Sequence, residues 1–411
     1  MYSERILKRG FKGHLIFTNK SSVVKQYVTG TCTLFSDGRS QISASFVPSI
    51  RFRKALGFAM STLNLKDFDI GLVGRTTKGE EILATQLLID GMSRKNRIGK
   101  TVRFKPTFSN CKTVSLKKGS LQGNVEVRYI LNNFDIGKIR NDRSFSHGKL
   151  KFDVVPYQSY RDTLQKLKKF RGVFPTAMLL CDKGKLSEKY LDTIAQKAFD
   201  FFSFAKATHI SCVLTEIVDD SNNYELKFTG TYAMSYNYGN DVLDFDGHKM
   251  KDLLEPGFKK YGRIKKKYNV LHLLQIYLDA QSPFFADNKA ALMSILFEAL
   301  KNNYKKNCIR KGQRTKVQFK KKGKWRDMSF REILIQLFKD EKFKFYKKEL
   351  TFIERVRNPT IHEGKFKSFK RDYPIFYSQV HLFQRFVLHL IGYKGSYEKW
   401  SLSGPQMIIM K

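Results

Sequence analysis

The stretch Glu354-Arg355-Val356-Arg357-Asn358-Pro359-Thr360-Ile361-His362-Glu363-Gly364 closes a helical run that begins at 343. Tyr346, Leu350, Ile353 and Arg357 recur there at the three- and four-residue spacing of one helix stripe. Arg357 therefore belongs to the packed side and Arg355 points nearly the opposite way. An arginine on an apolar stripe costs desolvation unless it is paired or faces a cleft. Pro359 is expected to disrupt the helix and free local carbonyls, leaving His362 on a bent segment that Gly364 closes.

Working outward, the chain from about 258 onward reads as helices. Val270, Leu271, Leu274 and Leu278 mark one over 264–281, with His272 among them as a core residue. Asp287 is a candidate N-cap for 287–301, whose stripe is Leu292, Ile295, Leu296, Ala299 and Leu300. Ser329-Phe330-Arg331-Glu332 has capping-box spacing ahead of Ile333, Leu334, Leu337 and Phe338 over 329–339. A last helix over 375–391 is stopped by Gly392-Tyr393-Lys394-Gly395. Four or five such helices make a bundle of their own. Between two of them, residues 301–324 carry eleven Lys or Arg and no acid. That run reads as a flexible phosphate-gripping loop of Lys305, Lys306, Arg310, Lys311, Arg314, Lys316, Lys320, Lys321, Lys322 and Lys324, accompanied by Phe319 and Trp325.

Toward the N-terminus the pattern changes to short runs rich in Val, Ile, Phe and Thr: 14–18, 27–35, 41–47, 68–74, 81–89, 124–131 and 149–155. Ser36-Asp37-Gly38-Arg39 is a hairpin signal, and Asp90-Gly91 and Lys118-Gly119 punctuate other strands. Strands without alternating helices predict an antiparallel sandwich or barrel-like domain. Gly71-Leu72-Val73-Gly74 is too short for a dinucleotide fingerprint. Residues 187–206 read as a helix and 209–218 with 224–232 as a strand pair. The expected layout is multi-domain α+β: a β-rich domain over 1–157, an α+β segment over 158–250 packing between the two ends, and an all-α bundle over 258–411.

Composition bounds the partners. The 411 residues hold 76 Lys+Arg against 37 Asp+Glu, a formal charge of +39. Such a field attracts polyanions, nucleic acid first and an anionic membrane surface second. A biased genome can inflate Lys, but it accounts less well for the scarcity of acids. Apolar residues make up 42%, enough for packed cores. The five cysteines, Cys32, Cys111, Cys181, Cys212 and Cys308, are scattered. No metal site, disulfide framework or cofactor is expected from them. With neither an apolar leader nor a run of about 18 apolar residues, a cytoplasmic protein without a membrane association is expected.

Arg357, Asn358 and His362 are the residues whose types carry chemistry. Cutting RNA with its own 2′-hydroxyl needs a base for that hydroxyl, an acid for the leaving 5′-oxygen and a cation for the phosphorane. Histidine, with a pKa of about 6.5, serves either proton role at neutral pH. A fixed guanidinium suits the third. Asn358 can hold the imidazole or a phosphate oxygen. One Arg/His pair is half of an acid–base set, so two copies face to face would complete it.

Arg357-Asn358-x-x-x-His362 resembles the Arg-x(4–6)-His motif of the HEPN superfamily, and the Gly392-Tyr393-Lys394-Gly395 ending looks like the ApeA-like HEPN group of anti-phage and other RNA-targeting proteins. The resemblance covers about 258–398. The β-rich region, with Ser203-Phe204-Ala205 ahead of a strand, is similar to the extension those proteins carry. The resemblance implies a metal-independent endoribonuclease, acting as a homodimer with a composite site and leaving cyclic phosphate and 5′-hydroxyl ends. It makes tRNA a plausible target, abortive antiviral defence a setting, and a phage component or other trigger a partner of the N-terminal domain. An acid on an early helix near the site is common in that family, which points to Glu298. Glu354, Glu363, His381 and Arg385 are further helper candidates, and His389 shares the polar face of the last two. The competing expectation is a non-catalytic RNA-binding or dimerising scaffold.

Overall fold

The computed structural model describes residues 5–18, 23–47, 69–97, 100–109, 112–136, 143–159, 173–229, 241–243, 250–281, 286–363 and 368–410 apart from 402–403, with a few isolated positions between. In chain order the strands are β1 Arg5–Thr18, β2 Val23–Phe35, β3 Ser40–Ser45, β4 Asp69–Thr76, β5 Glu81–Thr85, β6 Leu88–Arg97, β7 Lys100–Ser109, β8 Thr113–Lys118, β9 Val125–Asn132, β10 Ser144–His147, β11 Leu150–Pro156 and β12 Pro175–Asp182. There follow helix α1 Glu188–Lys206, then β13 Ser211–Asp219 and β14 Tyr224–Thr229. The C-terminal part holds α2 Met250–Tyr268, α3 Val270–Gln281, α4 Ala286–Arg310, β15 Gln318–Lys321, β16 Lys324–Asp327, α5 Phe330–Asp340, α6 Lys347–His362, α7 Phe369–Ile391, β17 Ser396–Ser401 and β18 Gly404–Ile409.

The chain divides into two compact units. The first comprises 1–135, 150–191 and 210–236, and the second 136–149, 192–209 and 237–411. The segment expected over 158–250 is thus divided: β12, β13 and β14 join the sheet, while most of α1 goes with the helices.

In the first unit the strands run in the order β11-β12-β9-β13-β14-β8-β5-β4-β1-β2-β3-β7-β6. The registered pairs are antiparallel. Alternation decides their faces. Phe11, Leu15 and Phe17 of β1, Ile70 and Leu72 of β4, and Val114 and Leu116 of β8 point into one core with Val28, Ile42 and Phe228. The Ser36–Arg39 turn closes β2 on β3: Gly38 takes φ 85°, and the Arg39 amide donates to Asp37 Oδ1 at 3.1 Å. Asp90-Gly91 is no turn. It is a bulge inside β6, where the pairing with β7 slips between Ile89 and Gly91.

In the second unit, α4 packs against α3, α5, α6 and α7. Its buried face is Ala290, Met293, Leu296, Phe297, Leu300 and Tyr304, whereas Ile295 is 45% exposed. The expected stripe was rotated because Met293 and Phe297 outweigh Ile295 and Ala299. The run 264–281 is two helices, broken at Asn269, which takes φ 51°. His272 lies exposed on α3, not in the core. The capping box at Ser329 is present, with the Ser329 amide donating to Glu332 Oε2 at 2.8 Å. Gly392 ends α7 at φ 80°, and its amide and that of Tyr393 both donate to the Leu388 carbonyl. The hairpin β17–β18 beyond it breaks the expectation of an all-α end. Ser203-Phe204-Ala205 lies in the last turn of α1, ahead of β13. No helix among the described residues is long and apolar enough to cross a membrane.

Candidate active site

Helix α6 places Leu350, Ile353 and Val356 in the core, each at most 1% exposed. Arg357 flanks that stripe at 26% side-chain exposure. Pro359 does not break the helix. It is buried within α6, which continues to His362 and closes with the Glu363 amide donating to the Pro359 carbonyl at 2.8 Å. A proline this near the C-terminal end forfeits one backbone hydrogen bond, and burial of its ring offsets the loss. Arg357 and His362 therefore stand five residues apart on a continuous helix, about 140° around its axis, while Asn358 and His362 share a face at i, i+4. The His362 side chain lies outside the described residues.

Arg357 is held from three directions. Its Nη2 pairs with Glu298 Oε1 of α4 at 2.5 Å. Its Nη1 donates to Asn358 Oδ1 at 2.8 Å. Its guanidinium lies 5.0 Å from the centroid of Phe330, the first residue of α5. Lys301, one turn along α4, donates to the other Glu298 oxygen at 2.5 Å and stands 5.6 Å from the same ring. Two cations thus share one carboxylate and one aromatic ring, and the cluster keeps one net positive charge. A partly exposed guanidinium fixed in this way is suited to receiving an anion without reorganising. Glu298 was named from resemblance. Lys301 and Phe330 were missed as site residues. Lys301 left a faint signal in its i, i+3 spacing from Glu298, but Phe330 read only as core.

The basic run is not a flexible loop. Lys305, Lys306 and Arg310 belong to α4, Lys311 lies in the turn that follows, residues 314–316 form a 3-10 turn, and Lys320, Lys321, Lys322 and Lys324 lie on the β15–β16 hairpin. The hairpin turns through Lys322 and Gly323 with positive φ at both. Trp325 carries Lys320 at 5.4 Å and Arg314 at 5.3 Å from its ring centroid. Lys305 pairs with Asp327 of β16, so the hairpin rises from the same stretch of α4, three residues ahead of Phe330. Lys316 is taken up by Asp340 at 2.7 Å, and Arg310 Nη2 donates to Asn307 Oδ1 at 3.0 Å. Lys306, Lys311, Lys320, Lys321, Lys322 and Lys324 are exposed.

The other helper candidates are engaged elsewhere. His381 is buried, with Nε2 2.6 Å from the Tyr397 hydroxyl of β17. Burial, aided by the nearby Arg385 and Lys399 charges, pushes its pKa down to about 3. It therefore stays neutral at physiological pH. Arg385 donates to the Lys344 carbonyl at 2.8 Å and approaches Glu349 at 3.4 Å. His389 Nε2 meets the Glu341 carbonyl at 2.7 Å. Glu354 faces Arg331 at 3.9 Å, Arg355 faces Asp372 at 3.7 Å, and Glu363 is exposed at the end of α6. Among the described residues no three His, Cys, Asp or Glu side chains are grouped as a metal ion would need. No family model, curated protein or solved structure matches this chain.

Proposed function

We propose that the second unit is an endoribonuclease centre in which Arg357 receives the scissile phosphate and His362 moves protons, fed by the basic β15–β16 hairpin. The observation that carries this reading is the Arg357 guanidinium, fixed by Glu298, Phe330 and Asn358 at the foot of an exposed, aromatic and lysine-rich hairpin. In the reaction the RNA 2′-oxygen bonds to phosphorus as its proton passes to a base. The bond from phosphorus to the 5′-oxygen breaks as an acid protonates that oxygen. A 2′,3′-cyclic phosphate and a 5′-hydroxyl result. Positions 357 and 362 diverge by about 140° around α6, so a second copy is the simplest way to set an imidazole opposite each guanidinium. The resemblance to the ApeA-like HEPN group makes antiviral RNA cleavage, with tRNA among its targets, the biological setting of this proposal.

The test is incubation of the protein with total RNA in EDTA beside Arg357→Ala and His362→Ala. Cleavage by the unaltered protein alone, with cyclic phosphate ends, supports the reading. Equal cleavage by all three removes the site assignment. A second reading, an RNA-binding scaffold, is favoured by one feature: the Glu298 pair also suits an arginine that merely ties α4 to α6. Binding without cutting in every condition, including infected-cell extract supplying a trigger, would establish it.

A further inference from the structure

A surface in the first unit combines exposed apolar side chains with lysines. On the outward face of the sheet, direct register partners form one row across four strands: Tyr27 of β2, His14 of β1, Val73 of β4 and Leu83 of β5. Such residues normally face a core, yet Tyr27 is 53%, Val73 44% and Leu83 49% exposed. The His14 ring meets Tyr27 edge-on at 5.5 Å. The row lines a groove of about 790 Å³ together with Lys12, Arg75, Lys117 and the acids Glu81 and Glu225. That volume is within the range of small-molecule sites.

Glycines set the close spacing of β1 and β4 beneath the groove, on the core face of the sheet. A Cβ on Gly13 would lie 2.3 Å from the Val73 carbonyl oxygen, and one on Gly74 2.3 Å from that of Lys12. The two strands approach too closely there for a side chain on either. Gly71 adds no side chain to the neighbouring row, where it pairs with Ile16.

Charge selects the occupant. The adjoining row reads Lys12, Arg75, Glu81, Lys117 and Glu225. Its acids are occupied by cations of the same face: Glu81 by Arg75 at 3.8 Å and Glu225 by Lys227 at 3.6 Å. Among the described residues no carboxylate pairs with Lys12, Lys117 or Lys25, which stands opposite Ile16 on the other flank. An apolar row headed by the Tyr27 and His14 rings, between lysines without a carboxylate partner, matches bases between phosphates. A polypeptide adding itself as a strand needs a free sheet edge, and β1, β2, β4, β5 and β8 are each paired on both sides.

We propose that this face binds single-stranded RNA, with Tyr27 stacking a base and Lys12, Lys25 and Lys117 holding its phosphates. The site concerns binding alone and stands apart from the cleavage reading. The test uses full-length protein whose hairpin cations are removed (Lys320→Ala, Lys321→Ala, Lys322→Ala, Lys324→Ala), titrated against a fluorescent 12-nucleotide 2′-O-methyl oligouridine. The methyl group removes the nucleophile, so the probe stays intact whether or not the chain cuts RNA. Tyr27→Ala is expected to weaken binding about tenfold and Tyr27→Phe to preserve it. Lys12→Ala with Lys117→Ala should make the slope of log K against log salt shallower by about 1.4. Unchanged affinity in Tyr27→Ala, with circular dichroism intact, overturns the proposal and leaves the face to a polypeptide. Equal affinity for a duplex of the same length overturns it as well, since paired bases cannot stack on Tyr27.

Discussion

Glu298 should matter more to stability than the arginine it holds. In Arg357→Ala the carboxylate keeps Lys301, 2.5 Å away. In Glu298→Gln two cations remain about one Phe330 ring, at 5.0 and 5.6 Å, with no negative charge between them. Charge centres about 4 Å apart attract by about 4 kcal/mol at an effective dielectric of about 20. Side-chain exposures of 26% and 20% for the pair admit water, and the net worth falls to about 1–2 kcal/mol. Glu298→Gln should therefore cost about 2 kcal/mol, Arg357→Ala about 1, and the double variant less than their sum by about 1. Urea unfolding followed by tryptophan fluorescence measures this. The chain's two tryptophans, Trp325 and Trp400, both lie in the second unit, so the signal reports on that unit. Equal m-values must accompany the shifts. A Glu298→Gln cost no larger than that of Arg357→Ala, or strict additivity, would refute the shared-carboxylate arrangement.

Two further outcomes follow from the same unit. Burial holds His381 near a pKa of about 3 when folded, below its ordinary value of about 6.5. The unfolded chain then binds the extra proton between those limits, so this contribution to stability is present above about pH 6.5 and is lost as pH falls toward 3. His381→Gln should flatten that dependence in urea titrations at several pH values without altering RNA cleavage at neutral pH, and an unchanged slope would contradict the burial argument. Replacing Lys320, Lys321, Lys322 and Lys324 by Ala should make the salt slope for single-stranded RNA shallower by about 3, read by fluorescence anisotropy. Loss of affinity with no change in slope would mean that the hairpin acts by shape rather than by charge.

Much of the local structure was legible in the residues. Runs rich in Val, Ile, Phe and Thr mark strands with one buried face, although the run 14–18 showed only the end of β1. Asp37-Gly38 marks a turn, Ser329 with Glu332 a helix start, and Gly392 a helix stop. The position of Arg357 beside the Leu350 and Ile353 stripe was legible too. These signals are local: each depends on a side chain and its own backbone within a turn or two.

What joins elements was not legible, because periodicity names the buried face of an element and not what covers it. Only the fold brings Phe330 to Arg357, sends β12, β13 and β14 into the N-terminal sheet, and turns His381 toward Tyr397. Only the fold shows α6 running on through Pro359, because packing around that residue outweighs its local preference to break a helix. The lysine run likewise gave no sign of its hairpin, since charge density reports affinity for phosphate and carries no information about backbone pairing. The sequence by itself determined which residue could serve as a fixed cation. The tertiary structure decided what fixes it, because a guanidinium beside a core is oriented by partners distant in the chain.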